Sequence, residues 1–271
     1  MTFKTCFQIS IFLLLAAACA GPAKQLPFLA EQYSPRRYTP PPNRRPLEPT
    51  LGVVAEGQLR SQQVPAPNGK VYRLRWRNIA SSIGPPNKGE LLNGNRLPKR
   101  GVGYKHIAHS PFGTDEAVVY LQFAAWVVKS MFSDSPPIVI GDLSKEGGGH
   151  LAPHRSHQSG RDADLSWYRS NNRPLRWFRV LKGEDLDVEK SWIFIEALLR
   201  TNAVKYIFVD KGIQERLYRQ AIQHGWSELS LQRVFQYPTG NRRTLIRHEP
   251  GHKNHFHVRF KCSRDDQECV P

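Results

Sequence analysis

The chain has 271 residues, enough for one substantial domain with extensions. It carries 39 Lys and Arg against 23 Asp and Glu, a formal net charge of +16. Such a surplus favours anionic partners: nucleic acid, a membrane surface or an acidic polymer. The sequence contains neither zinc-finger spacing nor an RNP motif, so nucleic acid is not an expected partner.

Residues 1–19 are predicted to be a secretory signal. Lys4 supplies the positive start, Phe7 to Ala18 is apolar, and small residues follow. The apolar run is too short for a comfortable transmembrane helix. The letters AAAC ending at Cys19 also resemble a lipoprotein cleavage site, although Ala16 stands where leucine is usual. A lipid attached to Cys19 would tether the protein to a membrane without spanning it.

Residues 20–70 are predicted to be an exposed linker, because EQYSPRRYTPPPNRRPLEPT is rich in Pro and Arg and has no periodic apolar face. Ordered structure is predicted from Val71, where VYRLRW alternates as a strand does. The folded domain is therefore assigned to residues 71–271. Within it, GPPNKGELLNGNRLPKRGVGY is a run of turn signals.

The following elements mix helices and strands without a regular βαβ rhythm. Thr114 and Asp210 are candidate N-caps, and Gly225 is a candidate helix stop. This mixture predicts an α+β fold with a small, largely antiparallel central sheet flanked by helices. Helices are predicted over 115–132, 188–201 and 210–224, and strands over 136–141 and 205–209.

Two cysteines near the C-terminus, Cys262 and Cys269, are certain to remain if the signal is removed. Outside the reducing cytosol such a pair most simply forms a local disulfide. Without a second pair of cysteines, a Cys-type zinc site is excluded.

The stretch RHEPGHKNHFHVRF, residues 247–260, contains a literal H-E-x-x-H match at 248–252. The zinc-protease chemistry of that pattern requires a helix, on which residues i and i+4 share one face. Pro250 and Gly251 disfavour a helix by about 3 and about 1 kcal/mol. The segment is predicted to turn, and the match is rejected.

Residues 255–260 alternate strictly and predict a half-buried strand. The apolar residues would face the core, while His255, His257 and Arg259 would share the other face. Two imidazoles two residues apart on a strand could let one bind a metal while the other contacts the metal's water. The alternative is a polar strand face with two solvated histidines.

A second cluster, GGGHLAPHRSHQSGRDADLSWY, contains His157 and Asp164. On a helix they would lie about 10 Å apart along the axis, too far for zinc, whose ligands bind at about 2 Å. Gly160 allows a bend, and the following DADL alternates like a strand that could return Asp164 to His157. With His257, these residues would supply three ligands and leave an open position, as in catalytic zinc sites. Asp162 would either orient a ligand imidazole or be solvated.

Together the two clusters resemble those of the penicillin-insensitive murein endopeptidases. These belong to the wider group of zinc peptidases related to D-alanyl-D-alanine carboxypeptidases and lysostaphin-type enzymes. The H-x6-D and H-x-H signature of that group matches His157…Asp164 and His255-Phe256-His257. Further similarity lies in SIGPPNKGELLNGNRLP, IVIGDLSKEGGGHLAPHRSHQSGRDADL, KYIFVD and GHKNHFHVRFKC, so the resemblance covers Ser82 to Cys262.

The resemblance implies a zinc metallopeptidase of the periplasm that hydrolyses amide bonds in peptidoglycan cross-links. It implies that His157, Asp164 and His257 bind the zinc. It also implies that His255 is the catalytic base and that His252 lies at the active site. Peptidoglycan would be the acidic partner that the positive charge favours.

His154 matches a histidine that takes part in a second metal site in the family. No convincing counterpart of that site's remaining ligands is found near EDLDVEKSW. His154 is therefore expected either to bind a second metal or to contact the ligands or the substrate. Two other activities stay open: a carboxypeptidase that trims stem peptides, and a non-catalytic wall-binding module of the same fold.

Overall fold

The structure, a computed structural model, describes residues 57–271. The predicted signal peptide, Cys19 and most of the predicted linker lie outside the described residues. Within 57–271, every helix is too short or too polar to cross a membrane.

The described residues form short strands and four helices. The strands are β1 (Gln58–Pro65), β2 (Val71–Asn78), β3 (Ser81–Ile83), β4 (Glu90–Leu92), β5 (Asn95–Arg96), β6 (Arg100–Gly101), β7 (Tyr104–His106), β8 (Phe112–Gly113), β9 (Ile138–Ile140), β10 (Asp162–Ser166), β11 (Val204–Val209), β12 (Ile246–His248) and β13 (His255–Phe260). The helices are α1 (Asp115–Met131), α2 (Val188–Arg200), α3 (Lys211–Gln223) and α4 (Glu228–Val234).

Seven strands form the central sheet, in the order β12-β11-β13-β10-β9-β7-β6. The pairs β11–β13, β13–β10, β10–β9 and β7–β6 are antiparallel, whereas β12–β11 and β9–β7 are parallel. Buried side chains of α1 and α2 share one hydrophobic cluster with those of the sheet. The predicted α+β fold with a largely antiparallel sheet is confirmed.

The predicted helix ends agree with the structure. The Thr114 side chain accepts a hydrogen bond from the backbone N–H of Ala117, and Asp210 caps α3 in the same way through Gly212. Each cap satisfies a backbone donor that the first helical turn leaves unpaired. Gly225 follows α3 with a φ of +85°, as expected of a glycine that ends a helix.

Three features differ from the sequence prediction. Strand β1 lies inside the segment predicted as linker, because its polar sequence is held as a strand by full pairing with β2. The predicted run of turns contains β4, β5 and β6, which at two or three residues each are too short to show a period. Helix α4, at seven residues, spans about two turns and was missed for the same reason.

The neighbouring strands β10 and β13 determine which side chains meet. Their antiparallel register places Asp164 opposite His257 and Asp162 opposite Arg259. The alternate residues of both strands are apolar and buried in the core. All the polar side chains of these two strands therefore project from the same face of the sheet. Beyond β13, the predicted disulfide between Cys262 and Cys269 is present.

The bend before β10 depends on Gly160, whose φ is +74°. A Cβ atom there would lie 2.6 Å from Leu91 Cδ1 and 3.1 Å from the backbone nitrogen of Thr114. We expect Gly160→Ala to lower the free energy of unfolding by about 2–4 kcal/mol, because backbone strain and a steric clash add. Gly69→Ala is the control, since its φ is +77° but nothing lies within 4 Å of the added Cβ. Chemical denaturation should show a loss of about 1 kcal/mol for the control, and equal losses would contradict the clash.

Candidate active site

A cleft of about 950 Å³ opens beside the polar face of β10 and β13. The structure brings all six predicted site residues into this cleft. They are His154, His157, Asp164, His252, His255 and His257.

Three donor atoms lie at the base of the cleft at nearly equal separations. His257 Nδ1 is 3.0 Å from Asp164 Oδ1 and 3.2 Å from His157 Nε2. The third side of the triangle, from His157 Nε2 to Asp164 Oδ1, is 3.4 Å. Ligands bound tetrahedrally at 2.0–2.2 Å from a zinc-sized ion would be about 3.3 Å apart. The arrangement therefore fits three ligands of one ion.

Hydrogen bonds set the tautomer of both imidazoles. His157 Nδ1–H donates to the carbonyl oxygen of Leu143 at 2.7 Å, which leaves the lone pair on Nε2. His257 Nε2–H donates to Asp162 Oδ1 at 3.0 Å, which leaves the lone pair on Nδ1. Partners of this kind orient histidine ligands in metal sites. Both lone pairs then belong to the atoms of the triangle.

Asp162 is buried, with 1% of its surface exposed, so the alternative of a solvated carboxylate is wrong. Besides His257, it accepts a bidentate hydrogen bond from Arg259, at 2.7 and 3.1 Å. It also accepts the backbone N–H of His157 at 2.9 Å. That contact holds His157 in the left-handed region at a φ of +68°, a strained conformation for a residue other than glycine.

The buried carboxylates make the base of the cleft favourable for positive charge. Burial alone would raise the pKa of Asp164, but His157 and His257 hold it well below its usual range. Burial likewise opposes protonation of His257, yet Asp162 and Asp164 raise its pKa to about 9, so a metal ion bound here would replace the proton on Nδ1. The potential at this point therefore favours a cation.

His255 lies beside the triangle on the same strand face. Its Nε2 is 3.7 Å from Asp164 Oδ1, and its Nδ1–H donates to Asn254 Oδ1 at 2.6 Å. The ring stacks on Phe178, with centroids 5.2 Å apart and planes 13° apart. Burial lowers the pKa of His255 to about 4, although Asp164 partly offsets this. A neutral ring with its lone pair on Nε2 is therefore positioned next to the donor triangle.

His252 lies on the turn before β13. The segment between β12 and β13 forms turns rather than a helix, which confirms the rejection of the H-E-x-x-H match. His252 Nδ1–H donates to the carbonyl oxygens of Glu249 and Pro250 at 3.1 and 3.2 Å. Its ring centroid lies 4.8 Å from that of His255. Burial, followed by the charge of His257, lowers its pKa.

His154 lies on the other side of Asp164. Its Nδ1 is 3.6 Å from Asp164 Oδ2, and its Nε2 is 3.4 Å from Asp142 Oδ2. The hydrogen bond to Asp142 raises the pKa of His154. Donor atoms of His154, His157 and Asp164 lie within 4.8 Å of one another and could also hold a metal ion. This trio shares two members with the triangle, so both describe the same centre.

Two cleft residues were missed in the sequence. Asp142 lies two residues after the buried strand β9, and a carboxylate so close to the end of a buried strand was a signal that could have suggested it. Phe178 lies in an irregular segment, and nothing in its neighbourhood predicts that it stacks on His255.

Comparison with known proteins identifies the family of this chain. The family model described as penicillin-insensitive murein endopeptidase matches residues 82–271. The chain is 27% identical over 246 residues to a protein of that name from Haemophilus influenzae, covering 81% of this chain and 75% of the relative. It is 26% identical over 219 residues to one from Pectobacterium atrosepticum, covering 72% of each. Since the family model spans well over half of the chain, including every residue of the cleft, the chain belongs to the penicillin-insensitive murein endopeptidase family.

Proposed function

We propose that the protein is a zinc metalloendopeptidase that hydrolyses amide bonds in the peptide cross-links of peptidoglycan. Its family and the names of its relatives support peptidoglycan as the substrate. The observation that carries the metal-dependent reaction is the donor triangle, with sides of 3.0, 3.2 and 3.4 Å and both imidazole lone pairs available.

The proposed zinc ligands are His157 Nε2, Asp164 Oδ1 and His257 Nδ1. His257 is preferred over His154 as the third ligand because its donor atom lies closer to Asp164, at 3.0 Å rather than 3.6 Å. Zinc at this position would act as a Lewis acid on the scissile carbonyl and lower the pKa of water toward about 7.

His255 is the proposed general base. The Nδ1–H bond to Asn254 leaves Nε2 free to accept the proton of the attacking water, and the same atom can return it to the leaving amine. Stacking on Phe178 holds the ring in that orientation. In His252, the Nδ1–H is committed to backbone carbonyls, so its other nitrogen suits a hydrogen bond from a substrate N–H.

A single zinc is proposed. Within residues 57–271, Asp164 and its neighbouring histidines form the only group of three or more potential metal ligands whose donor atoms lie within 4.8 Å of one another. His154, held between Asp142 and Asp164, would then contact the substrate or steady Asp164. Action on the wall requires export to the periplasm, which the predicted signal at residues 1–19 would direct. The lipid tether at Cys19 stays a prediction.

Asp162→Asn is expected to weaken zinc binding by about 10- to 100-fold, the usual effect of losing a partner that orients a ligand histidine. The amide would no longer supply the negative charge beside His257 and Arg259. Competition titration with a chromophoric chelator measures the affinity. Glu146→Gln, an exposed carboxylate outside the cleft, is the control. Unchanged affinity in Asp162→Asn would show that Asp162 has no such role.

The proposed activity is tested with purified muropeptide dimers and the metal-loaded protein, followed by mass spectrometry. Conversion of dimers to monomers, loss of this conversion on chelation and its recovery with zinc are expected. Dimers that are shortened but stay cross-linked would indicate a carboxypeptidase instead. Unaltered dimers under all metal conditions would indicate a wall-binding module without catalysis.

A further inference from the structure

Residues 173–182, named here the arginine-rich wall, form one side of the cleft through Trp177 and Phe178. The wall has four cationic side chains, all exposed. Within the part of the chain that the structure describes, none of them forms a side-chain hydrogen bond or ion pair. They are Arg173, Arg176, Arg179 and Lys182.

The backbone of the wall is fixed by Arg169, which is 7% exposed. Its Nη2 donates to the carbonyl oxygens of Arg179 and Val180 at 2.7 and 3.2 Å, while Nη1 pairs with Asp185 at 2.8 Å. The backbone N–H of Leu181 also donates to the turn before β13 at 3.3 Å. A buried arginine is costly unless its charge is paired, as it is here by Asp185. The hydrogen bonds of Arg169 therefore hold this irregular segment in one position.

The inner and outer sides of the wall differ in chemistry. Phe178 faces inward, stacks on His255 and packs so closely on Gly141 that a Cβ there would lie 2.6 Å from its ring. Trp177 and Val180 are each 53% exposed. A large exposed aromatic among unpaired arginines is typical of binding surfaces, where Trp and Arg contribute most of the affinity.

We infer that the arginine-rich wall binds a carboxylate-bearing peptide of the substrate next to the cleft. Arg176 and Arg179 flank the cleft-lining pair Trp177 and Phe178 and are the proposed partners of the carboxylates, since a guanidinium matches a carboxylate in bidentate geometry. The ring of Trp177 would pack on the apolar part of the same molecule. The identity of the substrate rests on the proposed function, whereas the binding chemistry rests on the wall.

The first test measures binding without cleavage. The intact chain is sedimented with insoluble murein in buffer containing a chelator, at 0.15 M salt. R176Q/R179Q should bind about tenfold more weakly, equivalent to about 1.4 kcal/mol. R242Q/R243Q is the matched control, because it removes the same charge from two exposed arginines outside the cleft and should bind like the parent. An unchanged R176Q/R179Q, or equal losses in both variants, would overturn the inference.

The second test changes the substrate. The parent should bind murein with amidated peptide carboxylates as weakly as R176Q/R179Q binds untreated murein. Amidation should lower the affinity of R176Q/R179Q little further. Independent losses from amidation and substitution would show that the arginines recognise something else.

The variant Trp177→Ala distinguishes two possible roles of Trp177, binding of the substrate and indirect support of His255. In cleavage assays, its KM should rise while kcat stays near the parental value. A lower kcat with unchanged KM would overturn the binding role and assign Trp177 to bracing Phe178. If the parent cleaves no cross-link, the proposed function fails, but the sedimentation comparison still decides the role of the wall.

Discussion

Replacing His257 with alanine is expected to remove both bound zinc and hydrolysis of cross-linked muropeptides. The variant would keep two of the three proposed ligands and leave Asp162 and Asp164 buried without the imidazole between them. A catalytic zinc site with two protein ligands holds its ion poorly. We expect metal content near zero after dialysis and a loss of activity of about 1000-fold or more. Elemental mass spectrometry measures the zinc, and conversion of dimers to monomers measures the activity.

Two further variants make this result specific. His150→Ala removes an exposed histidine outside the cleft and should retain both zinc and activity. His154→Ala removes the competing third ligand and should retain the zinc. Zinc lost from His154→Ala but kept by His257→Ala would reverse the proposed choice between the two histidines.

His255→Ala is expected to keep the zinc and to lose most of its turnover. Its side chain is next to the donor triangle but is not one of the proposed ligands, so the metal content should match that of the parent. Loss of a general base lowers kcat by about 100- to 10,000-fold. KM should change little, because the substrate-binding surfaces remain.

The measurement is kcat on purified dimers at saturating zinc, together with the metal content of the same sample. Full hydrolysis by His255→Ala would refute the assigned base. Loss of zinc together with activity would instead place His255 among the ligands.

Much of the fold and of the cleft could be predicted because the relevant segments have simple periods. The alternation of residues 255–260 and of DADL after Gly160 predicts two strands with their polar side chains on one face. The helix penalties of Pro250 and Gly251 correctly excluded the H-E-x-x-H match. In each case, local backbone preference and the final fold agree.

What the sequence did not reveal depends on contacts between distant segments. The pairing of Asp164 with His257 is a register, which alternation alone does not fix. Strand β1 is polar and is a strand only because β2 lies beside it. The positive φ of His157 exists because Asp162 binds its backbone N–H, a contact that no local pattern predicts.

The shared face of β10 and β13 has a consequence for how mutation can act on this enzyme. On both strands, reactive and core side chains occupy alternate positions, so inserting or deleting one residue in β13 would turn phenylalanines toward the cleft and histidines toward the interior. Such a frame error would damage folding and chemistry together, so few misaligned chains could persist as stable but inactive molecules. Point substitutions, by contrast, can silence the chemistry while sparing the scaffold.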